Sequence, residues 1–529
     1  MAYYQIGYLL VFLPLVILLY QIVPAKFRWV VLTTVSMLYF LKASRLLVLY
    51  FAVAVFVCWL GGIQLQRLAD RCKAEEASLE RKERKHLRAL YQKKKKKILV
   101  AGIVILIGIL AFLKYQGFVV ENANLVAGLL GLDRRWSVMK LAAPLGISFY
   151  TLEAVGYMAD VYWGKITAQK NPAKLVLFLA FFPQLMEGPI AAYSDTSAQL
   201  FAGNPIQWDD FYRGFIRILW GLSKKMVIAD RLAVPVKQIF NHYQDYNGPL
   251  IAAGAVFYTL QLYMEFSGCI DIVIGSAQIF GVKLPENFRQ PFFSENASEF
   301  WRRWHISLGT WFKTYIFYPV SVSGLMKRWN QYGKKHLSRY FTTVGTSAIA
   351  LFPVWLCNGI WHGADWNYLF YGMYYFVMIL LGIITDPLRL WILEKFDIPE
   401  HALWYRILRI LKTWVIIFTG ELFFRANGLK AGMEMFGSFF HGWSDHPLIQ
   451  GALLNLGLDI ADYIVIFAGI LLVFVVDLAK ERGIDLLQKF SGSRFVVKAS
   501  VSYVLLFMTL IFGAYGYYYA GVEMIYANF

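Results

Sequence analysis

Apolar residues in this chain come in blocks about twenty long, not in alternation with polar ones. The stretch ILVAGIVILIGILAFLKYQG at 98–117 is representative. A hydrocarbon core of about 30 Å takes roughly 20 helical residues to cross, whereas a membrane barrel needs strands that alternate apolar and polar positions. Blocks of this kind fall at 4–24, 28–42, 45–64, 97–115, 141–162, 174–193, 212–230, 248–280, 340–360, 364–385, 405–424, 460–478 and 499–520. The run at 248–280 is long enough to be broken in the middle. The pattern predicts an all-α polytopic membrane bundle of about 11–14 spans, with further oblique or re-entrant helices. The first block has no basic flank and no A-x-A-like cleavage site, so it is expected to remain as a helix.

One segment departs from this pattern. In ENASEFWRRWHISLGTWFKTYIFYPV, 295–320, Arg302, Arg303, His305 and Lys313 interrupt the apolar run. Phe300, Trp301, Trp304, Leu308, Trp311 and Phe312 recur at helical spacing and fill one arc, with His305 at its edge. A continuous helix here would lie at an interface or pack obliquely in the bundle. Asn296 or Ser298 is placed to cap its start, with Glu299 in the first turn.

Composition sharpens the class. Of 529 residues, 58% are hydrophobic, 17% aromatic and only 16% charged; the mean hydropathy is +0.49. The net charge of +18 is unevenly spread. RLADRCKAEEASLERKERKHLRALYQKKKKK at 67–97 precedes a membrane block, as the positive-inside rule expects of a cytoplasmic loop, here taken as 65–97. Anionic lipid headgroups are a natural partner for it. No nucleic-acid-binding motif accompanies the charge. Three spans before a cytoplasmic loop put the N-terminus outside, and Lys26 and Arg28 then fall in the cytoplasm; KRWNQYGKKHLSR at 327–339 is a second cytoplasmic candidate. The four cysteines are scattered, so neither a disulfide framework nor a zinc site is indicated. Without repeats or low-complexity linkers, one membrane domain over 1–529 is the economical organisation.

The sharpest chemical feature is CNGIWHGADW at 357–366. His362 ends an apolar run, and an ionisable group there is costly unless it is used or paired. One reading is a neutral imidazole bonded to a backbone carbonyl at a helix end. The other is a proton acceptor: Trp361 and Trp366 would wall a pocket, Gly363 permits close backbone approach, and Asn358 and Asp365 are nearby polar groups.

IWHGADW resembles the WHG-x-x-W element of the membrane-bound O-acyltransferase family, and FWRRWHISLGTW resembles that family's preceding histidine element. PLGISFYTLEAVGYMADVYWG (144–164), FFPQLMEGPI (181–190), YMEFSGCIDIVIG (263–275), LPENFRQPF (284–292) and FFRA (423–426) extend the likeness in family order over about 140–430, the expected catalytic core. Within the family the chain is most similar to the alginate O-acetyltransferase branch, and the D-alanyl transferase branch is related. Two departures stand out: Met186-Glu187 adds a carboxylate to FFPQLMEGPI, and Cys357-Asn358 precede IWHG.

The resemblance implies a bundle around a central tunnel in the bacterial plasma (inner) membrane, passing the chain many times through it. It implies transfer of an acyl group, acetyl first, to an extracytoplasmic polysaccharide hydroxyl or an acyl-relay protein. The donor would be a cytoplasmic thioester, coenzyme A or a phosphopantetheine carrier protein, with no bound cofactor and no metal. His362 and His305 correspond to the family histidines. His362 is expected to be the general base, and His305 a base, an orienter or an oxyanion donor. Asn358, Asp365, Trp361, Trp304, Arg302 and Arg303 are the expected substrate-binding neighbours. No Gly-x-Ser-x-Gly elbow indicates a serine acyl-enzyme. Asp160, Asp271, Glu153 and Glu265, in apolar runs, are open between structural acceptors and site residues. His86 and His336 are expected to be solvated, and His242, His401, His441 and His446 have no supporting motif. D-alanyl transfer toward teichoic acid, a transporter or flippase of envelope precursors, and a non-catalytic assembly factor are the alternatives.

Overall fold

The computed structural model describes residues 2–133, 135–139, 141–443 and 451–515; His446 and the last part of the 499–520 block lie outside them. Regular structure among these residues is helical, apart from one isolated antiparallel bridge between Phe288 and Trp304. Six helical runs are long and apolar enough to cross a membrane: Ala25–Glu76, Arg81–Leu129, Arg339–His362, Trp366–Lys395, Ile460–Glu481 and Phe495–Phe512. The all-α membrane class is therefore as expected. The other apolar blocks form helices that are shorter or interrupted by charge.

The chain divides into two compact units, residues 1–214 with 273–285, and residues 215–272 with 286 onward. The first contains α1 (Leu13–Ile22), α2 (Ala25–Ser44), α3 (Val48–Glu76), α4 (Arg81–Leu129), α5 (Ile147–Trp163), α6 (Pro172–Ala180) and α7 (Tyr193–Ala202). The basic stretch is helical on both sides of residues 77–80. Glu80 and Glu83 form a capping box at the start of α4, Arg88 pairs with Glu76 at 2.6 Å, and Lys95 donates to the Tyr162 carbonyl at 2.7 Å. The block at 174–193 does not make one span. α6 stops at Ala180, ahead of Pro183, which supplies no N–H to continue a helix. FFPQLMEGPI then runs irregular and buried, Glu187 included. Such a segment needs its backbone groups satisfied: Phe182 N donates to Ser36 Oγ and Met186 N to the Tyr3 hydroxyl, each at 3.0 Å. Glu153 accepts from the Gln184 side chain at 3.1 Å and, just past the segment, from Ala191 N at 3.2 Å. Asp160 pairs with Lys165 at 3.3 Å. Both acids thus have structural partners.

The second unit holds most of α8 (Trp208–Leu222) and of α10 (Gly248–Ile279), with α9 (Asp230–Asn241) between them. α10 is continuous, so the break considered at 248–280 is absent, and with it an argument for a transport pathway. α8 and α10 touch backbone to backbone: a Cβ on Gly221 would lie 2.4 Å from the Gly268 carbonyl oxygen. Their buried charges are paired, Asp271 with Arg217 at 2.9 Å and with Lys224 at 2.7 Å, and Glu265 with Lys225 at 3.6 Å. Next in the chain come α11 (Ala297–Arg303), α12 (Ile306–Phe312), α13 (Tyr318–Ser321), α14 (Gly324–His336), α15 (Arg339–His362), α16 (Trp366–Lys395), α17 (Leu403–Arg425), α18 (Leu429–Ser438), α19 (Ile460–Glu481), α20 (Leu486–Ser491) and α21 (Phe495–Phe512).

Candidate active site

The continuous helix expected over 295–320 breaks at its histidine. Asn296 caps α11 as anticipated, accepting from Glu299 N at 2.8 Å. At His305 the backbone turns left-handed (φ 47°, ψ 51°), a conformation a non-glycine residue adopts only when its surroundings impose it. Segment 287–289 imposes it here. Arg289 N donates to the Arg303 carbonyl at 2.9 Å and Ile306 N to the Asn287 carbonyl at 3.0 Å, on either side of the Phe288–Trp304 bridge. Helical hydrogen bonds are exchanged for a short antiparallel clamp, and the clamp fixes where the His305 ring points.

His362 is placed by helix packing. It is the last residue of α15, and α15 meets α16 through glycines. A Cβ on Gly359 would lie 2.5 Å from the Tyr368 carbonyl oxygen, and one on Gly372 2.4 Å from the Trp355 carbonyl oxygen. At Gly363 the Tyr368 ring occupies the space a Cβ needs, with its Cε2 at 2.2 Å. This approach sets the His362 ring edge-on to Tyr371 (centroids 5.7 Å apart) and to Phe424 of α17 (5.1 Å).

The two histidines, 57 positions apart in the sequence, line one cavity of about 60 Å³. Trp301, Trp304, Leu308, Trp355 and Asn358 are among its walls. The Trp361 indole contacts both imidazoles, 5.7 Å from His305 and 5.0 Å from His362 between centroids. Each histidine is only 3% exposed. His305 lies outside the six membrane-crossing runs, and burial pushes its imidazole down from 6.5 to about 3. It is therefore neutral at ordinary pH. Asn358 is buried, and its Oδ1 has no hydrogen-bond partner among the described residues; the same holds for the buried Trp301 Nε1. Buried polar atoms of this kind are unusual in a finished core. Here they belong to residues lining the cavity.

Not every expected neighbour is in this cavity. Asn358 and Trp304 line it, and Trp361 touches both histidines. Asp365 is exposed and caps α16 by accepting from Trp366 N. Trp366 is 52% exposed and does not wall the pocket. Arg302 is exposed and donates to Ser298 Oγ at 3.0 Å. Arg303 pairs with Glu299 at 2.8 Å and Glu481 at 2.7 Å. The reason is geometric: His362 ends α15 and residues 363–365 turn away, while Arg302 and Arg303 lie on faces of α11 other than the Trp301–Trp304 face. Asp271 and Glu265 also lie outside the cavity. Sequence reasoning passed over Asn287, Trp355, Tyr371 and Phe266, whose ring lies 4.9 Å from that of His305. Asn287 lies in the LPENFRQPF element, yet no local spacing signals that it reaches the histidine.

Among the described residues, no group of acidic, cysteine and histidine side chains could hold a metal ion. The wall behind Trp304 is ionic. Tyr263, whose ring lies 5.9 Å from that of Trp304, donates to Asp477 at 2.8 Å beside the Arg217–Asp271–Lys224 network.

Comparison with known proteins points to one family. The model of the membrane-bound O-acyltransferase family matches residues 168–390, which include both histidines. The probable alginate O-acetylase of Azotobacter vinelandii is 30% identical over 452 residues, 85% of this chain and 80% of that protein. The peptidoglycan O-acetyltransferase of Helicobacter pylori is 29% identical over 373 residues, 64% of this chain and 63% of its own length. The teichoic acid D-alanyltransferase of Bacillus subtilis is 28% identical over 330 residues, 58% of this chain and 78% of that protein. With such a relative aligned along most of its length and a multi-pass helical architecture, the chain belongs to the membrane-bound O-acyltransferase family and is an O-acyltransferase.

Proposed function

We propose that this enzyme moves an acetyl group from a cytoplasmic thioester, on coenzyme A or a phosphopantetheine carrier protein, to a hydroxyl of an extracytoplasmic polysaccharide or of a protein that relays it, in the bacterial plasma membrane. The observation that carries this reading is the aromatic cavity lined by both His305 and His362. Acyl transfer from sulfur to oxygen needs a proton acceptor beside the attacking hydroxyl. The hydroxyl oxygen bonds to the thioester carbonyl carbon as its proton passes to His362. The tetrahedral intermediate then collapses with cleavage of the C–S bond, and the proton passes on to the departing thiolate. Products are an ester and a free thiol, with no net proton change. The developing oxyanion needs donors; the buried Trp301 indole N–H and the Asn358 amide are the candidates among cavity residues. Tryptophan walls exclude water, which would otherwise take the acyl group by hydrolysis. The acetyl assignment draws on the names of the Azotobacter and Helicobacter relatives, and the bond chemistry is the same for a D-alanyl group.

The test is the ester released by mild alkali from the envelope of cells lacking this chain, against cells restored with the wild type or with His362→Ala. Acetate should return with the wild type and stay at least ~10²-fold lower with His362→Ala, matched for protein in the membrane. D-alanine in its place would move the assignment to the teichoic acid reading. Full restoration by His362→Ala would overturn the mechanism.

A further inference from the structure

Asn287 makes the contact that decides what His305 can do. Its side-chain Oδ1 lies 3.4 Å from His305 Nδ1, 2.8 Å from Ser307 Oγ and 3.0 Å from Ser307 N. A backbone N–H only donates, so the bond from Ser307 N settles which end of the amide faces this way. Rotating the amide by 180° would set an NH₂ against an N–H. The carbonyl oxygen is then the end that meets His305, and an acceptor there favours a proton on Nδ1. The amide is thus oriented by a main-chain group, and its orientation selects the imidazole tautomer.

We infer that Asn287 is a positioning residue that holds His305 as its Nδ1–H tautomer, so that the neutral ring carries its lone pair on Nε2 and meets the cavity as a proton acceptor rather than as a donor. This rests on the reading of the cavity as the site of acyl transfer. It deepens that reading by removing one role for His305: a ring with its only proton committed to Asn287 has none on Nε2 for the oxyanion. His305 can therefore accept from a second donor of the acyl acceptor, such as a neighbouring hydroxyl, and so orient it, while the attacking hydroxyl gives its own proton to His362. The oxyanion is left to other groups in the cavity. The same Asn287 also builds the backbone at this point, since its carbonyl accepts from Ile306 N at 3.0 Å. One residue therefore sets both the left-handed turn at His305 and the protonation of its ring.

The deciding measurement is nitrogen-15 solid-state NMR of histidine-labelled full-length protein in lipid bilayers near pH 7, with the His305 signals assigned by their loss in His305→Gln. The expected result is a protonated Nδ1 and an unprotonated Nε2. A protonated Nε2 in the wild type would overturn the inference. This readout needs no activity, so it stands apart from the proposed function: if the wild type transferred no acyl group, the functional reading would fall and the tautomer assignment would not. Turnover of acetyl coenzyme A by purified variants adds the consequence. Asn287→Leu, which cannot accept, should lower kcat by about tenfold or more with a smaller change in KM, and Asn287→Asp should recover most of it. Should Asn287→Leu fail to fold, the wild-type spectrum and the Asn287→Asp comparison still decide. Equal loss in Leu and Asp variants of wild-type thermal stability would refute the positioning role.

Discussion

At the residue scale, the two cavity histidines differ in how they are held. His305 is pinned by a polar contact to a neighbouring segment, whereas His362 is enclosed by the rings of Trp361, Tyr371 and Phe424. Burial lowers the His305 proton affinity, and this has a measurable consequence. Its folded-state value of about 3 lies below the 6.5 of an exposed imidazole. Between those values the unfolded chain binds a proton that the folded protein does not, so stability is lost as pH falls through that window. The contribution is at most about 1.4 kcal/mol per pH unit. Thermal unfolding in detergent between pH 7 and pH 5 should thus show a shallower pH slope for His305→Gln than for the wild type. An unchanged slope would mean that the ring is not held neutral. Activity should show no limb from His305 over the same range, because its neutral form is already saturated.

At the scale of elements, the site depends on two devices that replace ordinary helix packing. One is the clamp of 287–289 against 303–306. The other is the glycine contact between α15 and α16, which lets the two backbones approach closely, as small residues do between membrane helices. With the Gly359 Cβ position 2.5 Å from the Tyr368 carbonyl oxygen, no side-chain rotation can relieve a substitution. Gly359→Val should push α16 away, costing about 1–3 kcal/mol and displacing Tyr371 from His362. A lower unfolding temperature together with reduced turnover is expected. Gly382, on α16 itself but with nothing within 4 Å of its Cβ position, is the control, and Gly382→Ala should leave both unchanged. Wild-type behaviour of Gly359→Val would show that the contact does not position the site.

At the scale of the whole molecule, α4 is the informative element. Its 49 residues span about 73 Å at 1.5 Å per residue, against a hydrocarbon core of about 30 Å. It cannot lie wholly within the bilayer. Its lysine- and arginine-rich first turns are joined to α3 through the Arg88–Glu76 pair, while Val104, Ile105 and Phe112 are exposed further along, as lipid-facing residues should be. The positive-inside rule predicts that these turns lie in the cytoplasm. A cysteine introduced at Gln92, which is exposed, should react with a membrane-impermeant maleimide only after the cells are opened. Labelling of intact cells would reverse the orientation, and with it the side from which the thioester is proposed to arrive.

The sequence alone determined the features that local composition dictates. Runs of about twenty apolar residues cannot be satisfied in water, and this forced the membrane class. Helix ends were legible where a side chain reaches only three residues along, as at Asn296. The two histidines were legible because each sits in a short, distinctive string. Whatever depends on residues distant in the chain was decided only by the tertiary structure. Helical spacing carried the aromatic arc straight through His305, since periodicity cannot register a clamp from 287–289 that outcompetes one turn of helix. FFPQLMEGPI had the hydropathy of a span, yet it runs irregular, with backbone groups bonded to side chains far back in the chain: Phe182 N to Ser36 Oγ and Met186 N to the Tyr3 hydroxyl. Asp365, Trp366, Arg302 and Arg303 are neighbours of the histidines in sequence, but the end of α15 and the faces of α11 direct them elsewhere. Asn287 reaches His305 for the converse reason. Sequence proximity fixes which residues share a turn, and only the packing of one segment against another fixes which share a cavity.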